Sequence, residues 1–572
     1  MSKLSCFKER SAVQTLVAIL ILLHCIVFAL PSWAQATDPA TKAAREHERR
    51  LQEDALRRQQ QEKEQQKSPD IFLQLPDAES PVDELQNKTC FDVHHIDVQG
   101  VMVFEHTQMQ ALTAPYLNKC LGLAHINQLI KTISNFYIAK GLVTSRAFLQ
   151  PQNLADGRLD ILVVEGKLEK LESSKDTLSE RQLRWVFPSN KHGLVNLRDL
   201  EQGLEQLNRL QQNHSEMDIQ PGSVTGASRV LINNQRATAW HYGAGANNSG
   251  SETTGKNLAT AYVSWDNATN SNDNLYLNFS DAISGEDPAK SRSYSLAYSV
   301  PYGYTLVSYS GSYFEYQQLV EGSAVSFLTS GTSENHTINV DYMAYRGQRD
   351  KLGIGISLSR KQSKNYLEDV FLDTSSRVLY VWELGPSYTH HLSQGVMNTS
   401  LKWYRSVSWW DAKKEIVSAE DDFQFNKYSL DSSVSLNFNL AEQQFSYQSS
   451  LSLFYTPENI IASEGLSLGG RYTIRGMEGD GLFGYSGGFW RNQIAYIHPF
   501  KFGGHMNVYA GLDLGRVDDR AAIQESVAGS AVGVIFSAAD INLDLAYARA
   551  LKVPEYVLGP ENAVYANLQI NF

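Results

Sequence analysis

Cysteine is scarce in this chain of 572 residues: there are four, Cys6 and Cys25 in an N-terminal apolar run and only Cys90 and Cys120 beyond it. No His or Cys stands at ligand spacing beside that second pair, so no metal is expected. Long apolar runs are equally scarce, with one near the N-terminus and a mean hydropathy of -0.32. A protein crossing a membrane repeatedly with helices is thereby excluded. Positive charge is in deficit, since 50 Lys and Arg against 62 Asp and Glu leave a net charge of -12. That argues against a nucleic-acid partner, whose phosphates need a basic face. Neither H-E-x-x-H nor G-x-x-x-x-G-K-[ST] occurs. Gly484-Tyr485-Ser486-Gly487-Gly488 formally fits a nucleophile elbow, with His390 and His391 as partners, but no helical pattern follows it. No catalytic residue, no cofactor and no enzymatic activity are therefore expected.

What is present changes along the chain. Lys3, Lys8 and Arg10 precede the apolar stretch from Ala12 to Leu30, and small residues at signal-peptidase spacing follow it. Residues 1–34 read as a secretory signal cut after Ala34 or Ala36, the alternative being an uncleaved anchor. In an exported chain, Cys90 and Cys120 read as a disulfide. Residues 35–67 are rich in Glu, Arg, Lys and Gln with no apolar face, which predicts a polar helix, either a solvated tether or a helix lodged in a polar cavity. Residues 68–89, with Pro69, Pro76 and Pro81, read as a linker.

Two small modules follow, at 90–166 and 167–236. In the first, Phe91–Val98 is a predicted strand, Thr107–Leu117 and Ile126–Lys140 predicted helices, and Thr144–Leu149 and Arg158–Glu165 predicted strands. The second repeats the β-α-α-β-β order, its second helix carrying a stripe of Leu197, Leu200, Leu204, Leu207 and Leu210 that reads as core.

From 237 to 572 the helical periodicity stops. Tyr294, Leu296, Tyr298 and Val300 alternate with Ser293, Ser295, Ala297 and Ser299, and the series continues to Ile541, Leu543, Leu545 and Tyr547. Segments near ten residues long, with one greasy face and one small polar face, predict strands that cross a bilayer around a wet lumen. Seven short turns, near Asn270, Pro301–Gly303, Arg346–Lys351, Ser393–Gly395, Glu442, Phe502–Gly504 and Ala539, predict a membrane β-barrel of about sixteen antiparallel strands. The last strand carries Val564, Ala566, Leu568 and Ile570 on one face and ends on Phe572. That ending resembles the terminal strand by which outer-membrane barrels are recognised for assembly.

The unit between the fifth and sixth turns is longer than the others and dense in glycine: Leu466-Ser467-Leu468-Gly469-Gly470-Arg471-Tyr472-Thr473-Ile474-Arg475-Gly476-Met477. Two β-α-α-β-β modules, a sixteen-stranded barrel and a long loop carrying hydrophobic-Arg-Gly together resemble the outer-membrane transporters of two-partner secretion, a branch of the Omp85 superfamily. The likeness covers almost the whole mature chain and is strongest toward the haemolysin and contact-dependent inhibition toxin exporters. It implies that the modules are POTRA-like and periplasmic, that residues 35–67 plug the barrel, and that the loop folds inward.

In that family the loop arginine meets an acidic residue in a wall strand ending aromatic-x-Asp-x-Gly, here Gly511-Leu512-Asp513-Leu514-Gly515. The clamp carried over is Arg475 with Asp513, framed by Ile474, Gly476 and Met477. Met477 and Gly511 stand where the family has aromatics, which implies looser packing around the pair. The partners implied are a large secreted β-helical exoprotein, outer-membrane lipid, and the barrel-assembly machinery with periplasmic chaperones. A passive porin would leave the two modules unexplained, and a barrel-assembly insertase usually carries more modules.

Overall fold

The computed structural model describes residues 90–572 apart from 189–192, 284–287, 322–324, 414–423, 459, 479–480, 502, 519–523, 556 and 558. The signal, plug-helix and linker expectations for residues 1–89 lie outside the described residues.

In the first module, the expected strand Phe91–Val98 is two: β1 (Cys90–Val93) and β2 (His95–Gln99). The ladder breaks at His94, where the amides of His94 and His95 both donate to the carbonyl of Gly157. β1 pairs antiparallel with β3 (Lys119–Gly122), a strand that the sequence reading missed. Four residues are too few for a period-2 signal. This pairing brings Cys90 and Cys120 to a Cα separation of 5.3 Å, and they form a disulfide.

The first helix, α1 (His106–Thr113), stops short of the expected Leu117. Pro115 has no amide to donate, and the chain tightens into a 3-10 turn at Ala114–Tyr116. α2 (Leu123–Ala139) buries Ile126, Leu129, Ile133 and Tyr137. That face lies on the sheet of β2, β5 (Arg158–Val164) and β4 (Arg146–Leu149). The module is thus a β-α-α-β-β unit with the extra β1–β3 ribbon.

The second module follows the expected order: β6 (Lys167–Ser173), α3 (Glu180–Val186), α4 (Leu197–Asn208), β7 (Asn213–Pro221) and β8 (Ala227–Arg236). β8 lies between β6, to which it is parallel, and β7, to which it is antiparallel. Leu200 and Leu207 of the leucine stripe bury against Val230 and Ile232.

Sixteen full strands then close into an antiparallel barrel, the first (Trp240–Asn247) pairing with the last (Asn562–Asn571), with a two-residue strand, Val370–Phe371, appended at one rim. All seven expected turns join consecutive strands. In the first turn, Asn267, Asn270 and Asn272 adopt positive φ, which asparagine tolerates better than most residues. The strands are not uniformly near ten residues. Thr305–Glu321, Ser326–Arg346 and Asp350–Leu367 run 17, 21 and 18 residues. At about 3.4 Å per residue they exceed what a tilted bilayer crossing needs. Their excess projects from the rim opposite the short turns.

Ile338, Ile354, Ile356, Leu384, Val508, Leu512 and Val532 face outward and are exposed, as a lipid-facing wall requires. Residues an odd number of positions away on the same strands consequently face the lumen: Asp513 beside Leu512, Lys361 five places from Ile356, and Lys427 beside the exposed Tyr428.

Candidate functional site

The long loop leaves the strand Gln443–Tyr455 and returns at Ser486–Pro499. Midway, Leu466–Leu468 pairs with Leu482–Gly484 in a short ribbon, so the segment between them is presented as a compact tip. Thr473 Oγ1 accepts from the Gly469 amide, and the Gly470 amide donates to the Met477 carbonyl. Leu468, Ile474, Met477 and Leu482 bury against Val517, Val527 and Ala550 of the wall. The tip is seated on the inner face.

At its centre stands Arg475. Its Nε donates to Asp513 Oδ2 at 2.7 Å and its Nη2 to Asp513 Oδ1 at 2.6 Å, a bidentate pair, while its backbone amide also reaches Oδ2 at 2.9 Å. Nη1 donates to Gln493 Oε1 at 2.7 Å and Nη2 to the Asn492 carbonyl at 3.2 Å. Arg475 is 2% and Asp513 0% exposed, so each charge depends on the other. A second cation, Arg491, sits 3.7 Å from Asp513 and donates to the Tyr472 carbonyl.

Gly476 has φ +94°, and a Cβ there would lie 2.2 Å from the carbonyl carbon of Arg549. The loop can therefore lie directly on the wall. The expectation of looser packing around Gly511 needs correcting: a Cβ at Gly511 would fall 2.2 Å from Arg475 Nη2. The missing side chain is filled by the guanidinium itself. Met477, 3% exposed, also sits in a filled cluster rather than a gap. Aromatic groups come from elsewhere, with the Tyr565 hydroxyl accepting from the Gly476 amide at 3.1 Å.

Sequence reasoning missed a second arm. Arg471 pairs with Asp544 on the strand Ile541–Lys552, and the Tyr509 hydroxyl donates to the same carboxylate at 3.2 Å. Only the Asp residue type on a lumen-facing position could have signalled it. Ser486, the formal elbow serine, opens a barrel strand and not a helix.

At the turn-bearing rim, the second module docks on the barrel. Gln182 donates to Asn272 at 2.8 Å, Arg209 to Ser299 at 2.7 Å and to the Asn272 carbonyl at 2.6 Å, and the Gly303 amide to the Trp185 carbonyl at 2.8 Å. Glu205 of α4 receives both Arg346 and Lys351, the latter at 2.8 Å. Burial pushes the Glu205 carboxyl up, but the two cations outweigh it and hold it at about 2. At the barrel's seam, the Phe572 amide donates to the Tyr242 carbonyl at 2.8 Å and its ring stacks on Tyr242. Leu568 and Ile570 pair with Ala246 and Ala244.

The family profile described as haemolysin secretion/activation protein ShlB/FhaC/HecB matches residues 226–536, and profiles for a ShlB-type POTRA domain and a POTRA domain match 91–166 and 167–221. The outer membrane transporter CdiB of Dickeya dadantii (strain 3937) is 29% identical over 526 residues, 90% of this chain and 92% of that one. The hemolysin transporter protein HpmB of Proteus mirabilis is 29% identical over 473 residues, 81% and 82% of the two chains. The solved structure of CdiB from Escherichia coli matches with a TM-score of 0.85 at 26% identity, covering 95% of this chain and 100% of that one. These likenesses favour a transporter over a porin or an insertase. The chain belongs to the haemolysin secretion/activation family and is an outer-membrane transporter of two-partner secretion, its two POTRA domains lying in the periplasm.

Proposed function

We propose that this protein takes an unfolded exoprotein from the periplasm and passes it through the barrel lumen without ATP. The observation that carries the reading is the buried Arg475–Asp513 pair, which holds a long loop against the inner wall of a sixteen-stranded barrel, the strand number of channel-forming porins. Such a pair closes a path at rest and must part to open it. Residues 35–67 are proposed to plug the same path.

On the periplasmic side, β4 is an edge strand whose Phe148 is 50% exposed. An extended client can add to such an edge through main-chain hydrogen bonds, with little demand on its sequence. The client class proposed is a large β-helical exoprotein, of the haemolysin or contact-dependent inhibition type. Barrel-assembly machinery and periplasmic chaperones are proposed to deliver the barrel itself to the membrane.

With no nucleotide motif in the chain, the drive is proposed to come from the client, whose folding outside makes each step hard to reverse. The test is secretion of the exoprotein encoded beside this gene, in its native form and in a form locked against folding. The native client is expected in the medium and the locked one stalled in the pore. Equal rates for both would overturn the proposed drive.

A further inference from the structure

The long loop touches the inner wall twice, and the second contact is unrelated to the arginine. On its way in, the loop buries Ile460 and Ile461 against Leu379, Val381 and Phe425, then turns through a 3-10 turn at Ala462–Glu464. Glu464, 5% exposed, accepts from Lys361 Nζ at 2.9 Å and from Lys427 Nζ at 3.0 Å. Lys427 is itself boxed by aromatic rings, its ammonium 4.7 Å from the Tyr404 centroid and 5.0 Å from that of Phe454. A carboxylate so buried is held firmly only while both ammonium groups remain on it.

The two contacts lie on different parts of the wall. Lys361 and Lys427 belong to the seventh and tenth strands, Asp350–Leu367 and Asn426–Leu440. The tip partners Asp513 and Asp544 belong to the thirteenth and fifteenth, His505–Asp518 and Ile541–Lys552. Arg475 follows Glu464 by eleven positions, and the ribbon Leu466–Leu468 with Leu482–Gly484 stiffens the span between them. The loop is a bar fixed at both ends.

We infer that Glu464 is a positioning residue: pinned by Lys361 and Lys427, it fixes the root of the loop so that Arg475 arrives opposite Asp513, and the loop leaves the lumen by pivoting about this pin. The inference rests on the reading of the loop as the resting closure of the lumen.

The test uses the full-length protein in proteoliposomes, with Cys6 and Cys25 replaced by serine, Tyr472→Cys as a reporter at the tip and a water-soluble maleimide as the probe, Cys90 and Cys120 being tied up in their disulfide. Arg475→Ala serves as the reference for a released tip. Glu464→Gln, which keeps the volume and removes the charge, is expected to raise the labelling rate at least about fivefold, and Glu464→Asp less. Heat-modifiability, which reads the barrel alone, is expected to stay as in the parent protein. Lys361→Met, which leaves Lys427 on the carboxylate, is expected to give a smaller rise and serves if Glu464→Gln does not assemble.

A rise with Arg475→Ala but none with Glu464→Gln or, where that fails to assemble, with Lys361→Met overturns the pin while leaving the closure intact. No rise with Arg475→Ala overturns the closure, and the pin with it.

Discussion

Arg475 spends its whole fork on fixed partners, which makes the site intolerant of a lysine. The guanidinium meets Asp513 with two nitrogens, Gln493 with a third contact and the Asn492 carbonyl with a fourth. An ammonium is a point charge and reproduces one of these at a time. Arg475→Ala leaves Asp513 at 0% exposure with its main partner gone, a loss of about 3–5 kcal/mol for a buried pair broken on one side. We expect secretion of the partner exoprotein to be abolished while the barrel still assembles and stays heat-modifiable. Arg475→Lys is expected to recover less than a tenth of the parent rate. Export at the parent rate from Arg475→Ala would dismiss the clamp. Gly511→Phe restores the aromatic usual in the family, yet its Cβ would occupy the place of Nη2. It is expected to reduce secretion as Arg475→Lys does, and an improvement would mean that the guanidinium has another seat. Arg475 and Asp513 were legible because each lies inside a recognisable local string. Arg471 lies in the same loop string, but its partner Asp544 was not legible, nor were Gln493 and Tyr565, since curvature of the barrel brings these to the loop from strands whose lone polar residues look like any lumen residue.

The elements that meet at the periplasmic rim were legible one by one but not as a joint. Helix α4 showed its leucine stripe, whereas nothing in the sequence marked Glu205. Only the fold places Arg346 and Lys351 on it. Its carboxyl is held at about 2, below the usual 4.5, so docking gains from the ionised form at neutral pH and loses that gain as pH falls from about 4.5 through 2. Trp185 packs edge-on against Tyr302 at this joint, 5.6 Å between centroids, and its emission reports docking. Taken as the difference from the Trp185→Phe protein, that emission is expected to hold from pH 8 to 5 and to change below 4.5. In Glu205→Gln it is expected to be shifted already at pH 7. A transition in Glu205→Gln matching the parent's would assign the effect to other groups. The β1–β3 ribbon was illegible for a different reason, its strands being four residues each. The disulfide closes a separation of 30 residues, and removing it by Cys90→Ser is expected to cost the first module about 2–4 kcal/mol. Faster amide hydrogen exchange across 90–166, with the barrel amides unchanged, is the result expected.

At the scale of the whole molecule, alternation and turn spacing were enough to count sixteen strands, because a barrel repeats one rule to its last residue. What that rule leaves open is how the ends meet. The closing pair joins only Asn567–Asn571 to Gly243–Asn247, while the first two strands pair along Trp240–Asn247. Asn248 extends the seam with its side chain, donating to the Val564 carbonyl at 2.6 Å and accepting from the Ala566 amide at 2.8 Å. Phe572 extends it at the other end, through its amide on Tyr242 and its ring on the Tyr242 ring. Phe572 thus fastens the closure. An unfastened edge presents unpaired backbone groups, which hydrocarbon does not tolerate. Deleting Phe572 is therefore expected to lower the amount of barrel in the membrane several-fold, while each assembled molecule secretes at the parent rate. Tyr242→Ala, which removes the ring contact and keeps Phe572, separates the seam from delivery. A seam role lowers the unfolding temperature of the Tyr242→Ala barrel and leaves its delivery to the membrane normal. A Tyr242→Ala barrel as heat-resistant as the parent would overturn the seam role of Phe572.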